Sequence, residues 1–278
     1  MPKTQDSIFG RADTESIIQR HKGNNAFLEH LSIADDTLLT KIIGRYICFN
    51  AVFGGGVANL AGEITEKRSV FEDSSEKIKS IRDRSSIVAA DVFFAAIDEF
   101  GDRSFKSKFT HRALAQATLK GVSEYYHYHP DDFDTIIGLN TVTKGAIEAV
   151  AEGYLINQTV DEMSIMRAIG FHTSSEILAD NEFRILDSCM NRRFPELTDF
   201  LKRTNVTISD ILMPAYAWIK IHTSVEINHF NFAVKSANSA LKYYAGSRSK
   251  KEVKRWIMEG FGSFSDLQTV FMIHLTDD

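Results

Sequence analysis

The stretch WIKIHTSVEINHFNFAV, residues 218–234, decides how the chain is interpreted. His222, Glu226 and His229 are spaced by four and then three residues, so a helix would present all three on one face. Apolar residues surround them, and burying charge there is costly unless the charge is paired or binds a metal. Mixed imidazole and carboxylate ligands suit iron, manganese or zinc. The stretch therefore predicts a buried helix that contributes three ligands to a metal site.

A second pair of the same kind, Glu124 and His127, lies earlier in the chain. A single Glu-x2-His pair is weak evidence, because solvated helix faces carry both residue types by chance. Two facing helices that each carry such a pair, each joined by a lone carboxylate from a further helix, form a dinuclear metal site in helical bundles. The two pairs together predict such a site.

The chain as a whole is predicted to be all-α. Its 278 residues are 44% hydrophobic and 25% charged, which is ordinary for a soluble globular protein. Apolar residues recur with the helical period, only four prolines occur, and no segment alternates as a half-buried strand does. We expect a polar tail with a short helix over residues 1–35 and one helical domain over residues 36–278. Its main helices are predicted at 36–50, 74–100, 109–129, 142–156, 160–192, 209–245 and 251–274.

Charge and composition exclude several classes of partner. A net charge of −5 and a pI near 6.0 give no electrostatic reason to expect nucleic acid. No signal peptide and no membrane span are recognised, and the two cysteines, Cys48 and Cys189, sit among apolar residues as packing. A cytoplasmic location is therefore predicted.

The triple glycine over residues 54–56 lacks the rest of a phosphate-binding motif and predicts a hinge or a close backbone approach.

The lone carboxylates are harder to assign. An antiparallel partner for Glu124 should lie near residues 86–91, which favours Asp91 over Asp98 and Glu99, because those two lie at a helix end where solvation is easy. On the helix over 160–192 we take Glu182, with Glu176 and Asp180 as alternatives. Three further histidines are not expected to be ligands, because none has an acid at a matching spacing: His111, His129 and His172.

These motifs resemble those of the p-aminobenzoate N-oxygenase family of ferritin-like diiron enzymes. The resemblance covers roughly residues 74–245 and rests on Glu124-x2-His127, a lone acid near Glu182, and the ending His222-x3-Glu226-x2-His229. The third histidine distinguishes that family from ordinary two-histidine diiron proteins. One departure is Asp91, where the family has glutamate. The other is the long stretch between Glu182 and the final triplet.

The resemblance implies a ferritin-like helical bundle with additional helices and a site for two iron ions. Its implied metal ligands are Asp91, Glu124, His127, Glu182, His222, Glu226 and His229. It also implies an O2-dependent oxidoreductase that oxidises a small organic molecule, most readily the nitrogen of an aromatic amine, with an external electron donor. A homodimer is compatible with it. Arg184, Arg192 and Arg193 are candidates for pairing with a substrate carboxylate.

Two other classes compete with this prediction. The haem-oxygenase-like diiron oxidases also end in a histidine–acid–histidine run, usually with aspartate in the middle, and only Glu124-x2-His127 argues against them. The third class is a metal-free helical interaction protein. A partner-binding protein has no reason to bury acids and histidines together, so their number inside the fold separates these classes.

Overall fold

A computed structural model describes residues 9–101 and 109–278 of the protein. The side chains of some residues within the helical segments also lie outside the described part: Arg11, Ala95, Ala96, Asp98, Ser224, Val225, Glu226 and Ile227. The described residues form twelve α-helices and one antiparallel two-stranded sheet, which confirms the all-α prediction.

The helices, in chain order, are α1 Arg11–Arg20, α2 Gly23–Ile33, α3 Asp36–Asn50, α4 Phe53–Glu66, α5 Ser85–Ala96, α6 His111–Tyr126, α7 Pro130–Ile137, α8 Thr141–Gly153, α9 Glu162–Arg193, α10 Pro195–Arg203, α11 Ala217–Tyr243 and α12 Lys250–Ile273. The strands are β1 Asn205–Ile208 and β2 Ile211–Pro214.

The three longest helices form the centre of the molecule. Helix α9 packs against α11 on one side and α12 on another, while α5 packs against α4 and α11. Helix α6 contacts α11 and the small sheet. Residues along α9 are buried on nearly all sides, including Ile169, Phe183 and Leu186, because the helix has neighbours around it. The polar residues of α9 that remain inside therefore need partners there.

Two predicted helix starts are wrong. Helix α11 begins at Ala217 rather than near Ser209, because Ser209 and Asp210 form the turn of the β1–β2 hairpin with φ of 47° and 64°. Short polar side chains tolerate this left-handed backbone, which suits the two central residues of a tight hairpin turn. Helix α5 begins at Ser85 rather than at residue 74.

Helices α9 and α12 approach each other closely at two glycines. A Cβ atom on Gly170 would lie 1.8 Å from the carbonyl oxygen of Ile257, and a Cβ atom on Gly260 would lie 1.8 Å from that of Arg167. Both obstacles are backbone atoms, which cannot move aside as a side chain can. The two glycines therefore set the spacing between these helices.

The triple glycine over residues 54–56 lies in the first turns of α4. Two of these glycines lie close to other parts of the chain, which agrees with the predicted close backbone approach rather than with a hinge. A Cβ atom on Gly54 would lie 3.1 Å from the Cβ atom of Glu99, and one on Gly56 would lie 2.7 Å from the Tyr154 ring.

One helical stretch among the described residues, Asp36–Glu66, is long and apolar enough to span a membrane by length and composition; a core helix of a soluble protein passes the same test.

Candidate metal centre

Three side chains from separate elements meet inside the fold. Glu99 follows α5 in a short 3-10 turn, His111 is the first residue of α6, and His222 lies in α11. Their ligand atoms all lie within 4.8 Å of one another. Both imidazoles are buried and the carboxylate is half-buried. A carboxylate with two buried imidazoles is a donor set that fits iron, manganese or zinc.

The electrostatics of this cluster favour an ionised carboxylate. Burial acts to raise the pKa of the Glu99 carboxyl, but the charge of His111, the hydrogen bond from its Nδ1 at 3.0 Å, and the charges of His222 and His229 together bring the pKa below its ordinary value. A carboxylate must be deprotonated to bind a metal ion, so Glu99 is in the required state at neutral pH.

His222 is held in one orientation. Its Nδ1–H donates to the carbonyl oxygen of Trp218 at 2.6 Å, and the Phe183 ring stacks on the imidazole with centroids 4.1 Å apart and planes 17° apart. A carbonyl oxygen can only accept, so Nδ1 carries a proton, which leaves Nε2 as the nitrogen available to a metal ion. This arrangement fixes the tautomer that ligates a metal through Nε2.

A second group of acids and histidines lies beside the first. In α9, the two oxygens of Glu176 lie 3.2 Å from His172 Nδ1 and 3.5 Å from His229 Nδ1. One turn and a half later, both oxygens of Glu182 accept hydrogen bonds, from the Tyr46 hydroxyl at 2.7 Å and from the Gln268 side-chain amide. Both glutamates are buried.

Two cavities lie against this cluster. The larger, about 230 Å³, is bounded in part by His111 and Trp218. The smaller, about 40 Å³, is bounded in part by Glu176 and His229. Both share Asn50, Glu99 and His222 in their walls. The cluster is thus reached from a chamber large enough for a small organic molecule and from another that holds only a molecule of about the size of water.

The structure brings several of the predicted ligands together and adds two. His222 and His229 face the smaller cavity with Glu182 and its alternative Glu176. Glu226 lies in α11 between the two histidines, with its side chain outside the described part. His111, which the sequence argument set aside, and Glu99, which it kept as an alternative to Asp91, lie with His222 in this cluster.

Glu124 and His127 are not part of this cluster, so the structure does not bring these two predicted ligands together with it. Both are exposed, and His127 ends α6 with a left-handed φ of 54°. Glu124 lies thirteen residues after His111 on the same helix, about 20 Å along its axis. One helix cannot present both His111 and Glu124 to one ion.

Asp91 also has another role. It is buried, and its Oδ1 pairs with Lys235 Nζ at 2.8 Å across the contact between α5 and α11. The sequence argument was right that a buried acid here needs a partner, but within the described part of the chain that partner is a lysine. This places Asp91 in a structural ion pair rather than among the predicted ligands.

Asp91→Asn is therefore expected to leave metal binding unchanged and to lower the free energy of unfolding by about 1 kcal/mol, because it removes one charge of a partly buried pair. Lys235→Gln should have a similar cost. Urea unfolding and metal content of the purified variants provide the measurements. A loss of bound metal in Asp91→Asn would return Asp91 to the ligand set.

Glu99 and Glu176 were both alternatives in the sequence argument, whereas spacing gave no reason to choose His111. Glu176 was already an alternative on its helix. Glu99 and His111 are separated by residues 102–108, which lie outside the described part, and no fixed spacing marks such a pair. The available signal was the apolar setting of Glu99 after FFAAI, which the helix-end argument outweighed.

Comparison with known proteins shows a likeness in fold. No family model and no curated protein matches the chain. The fold is similar to a crystal structure, at 2.00 Å resolution, of a CADD-like protein of unknown function from Nostoc punctiforme PCC 73102, with 14% identity and a TM-score of 0.61. The match covers 95% of this chain and 94% of that chain. The chain shares its fold with a CADD-like protein. At this level of identity the likeness concerns the fold alone.

Proposed function

We propose that the protein is an O2-dependent non-haem diiron oxidoreductase that oxidises a small organic substrate. The observation that carries the proposal is the convergence of Glu99, His111 and His222, whose ligand atoms lie within 4.8 Å of one another inside the fold. Buried acids and histidines are costly unless they are paired or bind a metal, and a scaffold or interaction protein gains nothing from them.

The donor set divides into two groups. Glu99, His111 and His222 would hold one ion, while Glu176 and His229, with Glu226 between the two α11 histidines, would hold the other. We choose Glu176 over the predicted Glu182 because Glu176 lies 3.5 Å from the proposed ligand His229, whereas the Glu182 oxygens accept hydrogen bonds from Tyr46 and Gln268. Glu182 would then support the site by holding Tyr46 and Gln268 in place.

The chain's own residues prepare the site for this chemistry. A pair of iron ions supplies the electrons that activate O2 when it is bound there. His222 is fixed by the Trp218 carbonyl and the Phe183 ring, so its Nε2 keeps one direction throughout the reaction. The smaller cavity holds only a molecule of about the size of water, and the larger one leaves room for the organic substrate. An external electron donor remains part of the proposal.

The positions of the acids and histidines support the haem-oxygenase-like diiron oxidases better than the p-aminobenzoate N-oxygenase family. The sequence argument against them was Glu124-x2-His127, and both residues lie exposed and away from the cluster. The histidine–acid–histidine ending remains, with Glu226 where that group usually has aspartate. N-oxygenation of an aromatic amine is the narrower proposal from the other resemblance, whose third histidine, His222, does lie in the cluster.

Anaerobic Fe(II) titration tests the proposal. We expect about two ions per chain, followed by O2 consumption and oxidation of the iron on mixing with air-saturated buffer. Mössbauer spectroscopy of the product should show two coupled ferric ions. An absence of specific Fe(II) binding, or binding without any reaction with O2, would contradict the proposal. The first of these outcomes would favour the metal-free interaction protein.

A further inference from the structure

We propose that an exposed basic patch where α9, α10 and α11 meet binds a small acidic electron-carrier protein. The basic patch consists of Arg192, Lys202 and Lys220, one residue from each helix region. The inference rests on the proposed function in one respect, because the electrons of the carrier are taken to be used at the acid–histidine cluster. The surface and its charge do not depend on any bound metal.

The three cations of the basic patch line one open depression in the surface. Their side chains are exposed, and within residues 9–101 and 109–278 none of the three forms an ion pair with a carboxylate. Lys202 donates to Asn191 Oδ1 at 2.6 Å, and this neutral partner leaves the charge of the lysine uncompensated. Asp187, an acid in the same walls, accepts a hydrogen bond from the Tyr216 hydroxyl at 2.8 Å instead. The patch thus carries excess positive charge on a protein of net charge −5.

Two arginines on the same helix as Arg192 do not add to the patch. Arg184 forms hydrogen bonds to both oxygens of Asp180, and Arg193 donates to two backbone carbonyl oxygens. All three arginines were candidates for pairing with a substrate carboxylate. Arg192 has no carboxylate partner among the described residues, but it lines the surface depression rather than either cavity at the cluster.

The basic patch lies across α11 from the cluster. Lys220 precedes His222 by two residues, so the two side chains point about 200° apart around the helix, and one is exposed while the other is buried. The patch and the cluster are therefore separated by about the width of one helix, roughly 10 Å. Electron transfer through protein weakens steeply with distance, and a carrier bound at this patch would be close to the centre.

Trp218 connects this side of the molecule with the cluster. Its buried ring lies edge-on to the His222 imidazole, with centroids 5.7 Å apart. Its carbonyl oxygen also accepts the Nδ1–H of His222 at 2.6 Å. Tyr216, two residues earlier, lies beneath Lys202, whose Nζ is 5.3 Å from the ring centroid. Two aromatic residues of one segment thus lead from the basic patch towards a proposed metal ligand.

A protein carrier fits this surface better than a small ligand or a nucleic acid. The exposed cations surround an open depression, whereas small-molecule sites enclose most of their ligand. Nucleic-acid affinity comes from many phosphate contacts, and this patch offers three cations on an acidic protein. Interfaces of electron carriers are small and weak, and complementary charge steers their encounters. In each encounter the reduced carrier would give one electron to a ferric ion, which leaves the carrier oxidised and the ion ferrous.

Binding of an acidic plant-type [2Fe–2S] ferredoxin to the metal-free full chain tests the docking surface, by NMR line broadening or calorimetry at low ionic strength. We expect saturable binding that weakens as salt is added. Lys202→Glu and Lys220→Glu should each weaken binding at least about tenfold, because attraction is replaced by repulsion. Lys144→Glu is the matched control, since Lys144 is exposed on α8 outside the patch and gives the same change in net charge. It should bind the ferredoxin as the wild type does.

Stopped-flow mixing of the reduced ferredoxin with the oxidised, iron-loaded protein tests the electron transfer. The ferric ions should be reduced at a rate that saturates with ferredoxin concentration. Lys202→Glu should slow this reduction at least about tenfold at a ferredoxin concentration below saturation, and Lys144→Glu should not. The iron content of each variant, measured before mixing, separates a loss of metal from a loss of docking.

Three results for binding would each overturn the proposal: no binding of the ferredoxin, binding that salt does not weaken, or equal binding by Lys202→Glu, Lys220→Glu and Lys144→Glu. Equal affinity for a single-stranded oligonucleotide of the same net charge would do so as well, because the basic patch would then be a general site for polyanions.

The outcome is separable from that of the proposed function. Ferredoxin binding through the basic patch in a protein that fails to bind Fe(II) would support the docking surface and overturn its role in reducing a metal centre. Two bound iron ions that react with O2, in a protein whose patch does not bind the ferredoxin, would leave the oxidase standing and overturn the docking surface.

Discussion

His111→Ala is expected to lower the affinity for Fe(II) by at least about a hundredfold, whereas His127→Ala leaves it unchanged. Changes to residues that only support a metal ligand already cost 10- to 100-fold in affinity, so loss of a direct ligand should exceed that range. His111 is buried within 4.8 Å of the Glu99 and His222 ligand atoms, while His127 is exposed at the far end of the same helix.

Anaerobic titration of Fe(II) against a competing chelator measures this difference. Co(II) provides a second readout, because its visible absorption changes when an imidazole ligand is lost, whether or not the protein reacts with O2. The two variants make the same chemical change on one helix, so they separate a ligand from a general effect on α6. Equal affinities in the two variants would remove His111 from the site. A loss confined to His127→Ala would restore the pairing predicted from the spacing of Glu124 and His127.

Gly170→Ala and Gly260→Ala are each expected to lower the free energy of unfolding by about 3 kcal/mol or more. The new methyl group would lie 1.8 Å from a backbone carbonyl oxygen of the facing helix in either variant, so α9 and α12 must move apart. Overpacking a well-packed interface ordinarily costs 1–3 kcal/mol, and a backbone obstacle belongs at the upper end of that range or above it.

Gly62→Ala is the control, and it should change stability in the opposite direction. Gly62 lies exposed in α4 with no heavy atom within 4 Å of an added Cβ. Alanine there restricts the unfolded chain and stabilises the helix by about 0.5–1 kcal/mol. Thermal or urea unfolding of the three variants gives the comparison. Similar stabilities for Gly170→Ala and Gly62→Ala would show that the α9–α12 contact is loose.

The helices, and the helix face that His222 and His229 share in α11, could be predicted from the sequence because they depend on local periodicity. Helix α9 at Glu162–Arg193 agrees closely with its prediction over residues 160–192. His222 and His229 share a face wherever the helix begins, since their spacing fixes their relation. The hairpin was missed because Ser and Asp favour both helix starts and tight turns.

The remaining ligand assignments depend on burial and on contacts between distant segments, which spacing does not encode. Glu124 and His127 have the right spacing but lie on a solvated helix end. Asp91 lies among apolar residues, as a buried metal ligand would, but its carboxylate pairs with Lys235, which is 144 positions away in the sequence. Glu99 and His111 meet across a segment with no recognisable spacing, so their meeting depends on how α5, α6 and α11 pack.

The two cavities that share Asn50, Glu99 and His222 have a consequence for kinetics. In the proposed oxidase, O2 and the organic substrate can occupy separate chambers, so neither must leave before the other arrives. Compounds that fill the larger chamber should then compete with the organic substrate of the proposed reaction while leaving the dependence of the rate on O2 concentration unchanged. In the proposed oxidase, this independence of the two reactants follows from the wall between the chambers, to which Asn50, Glu99 and His222 all contribute.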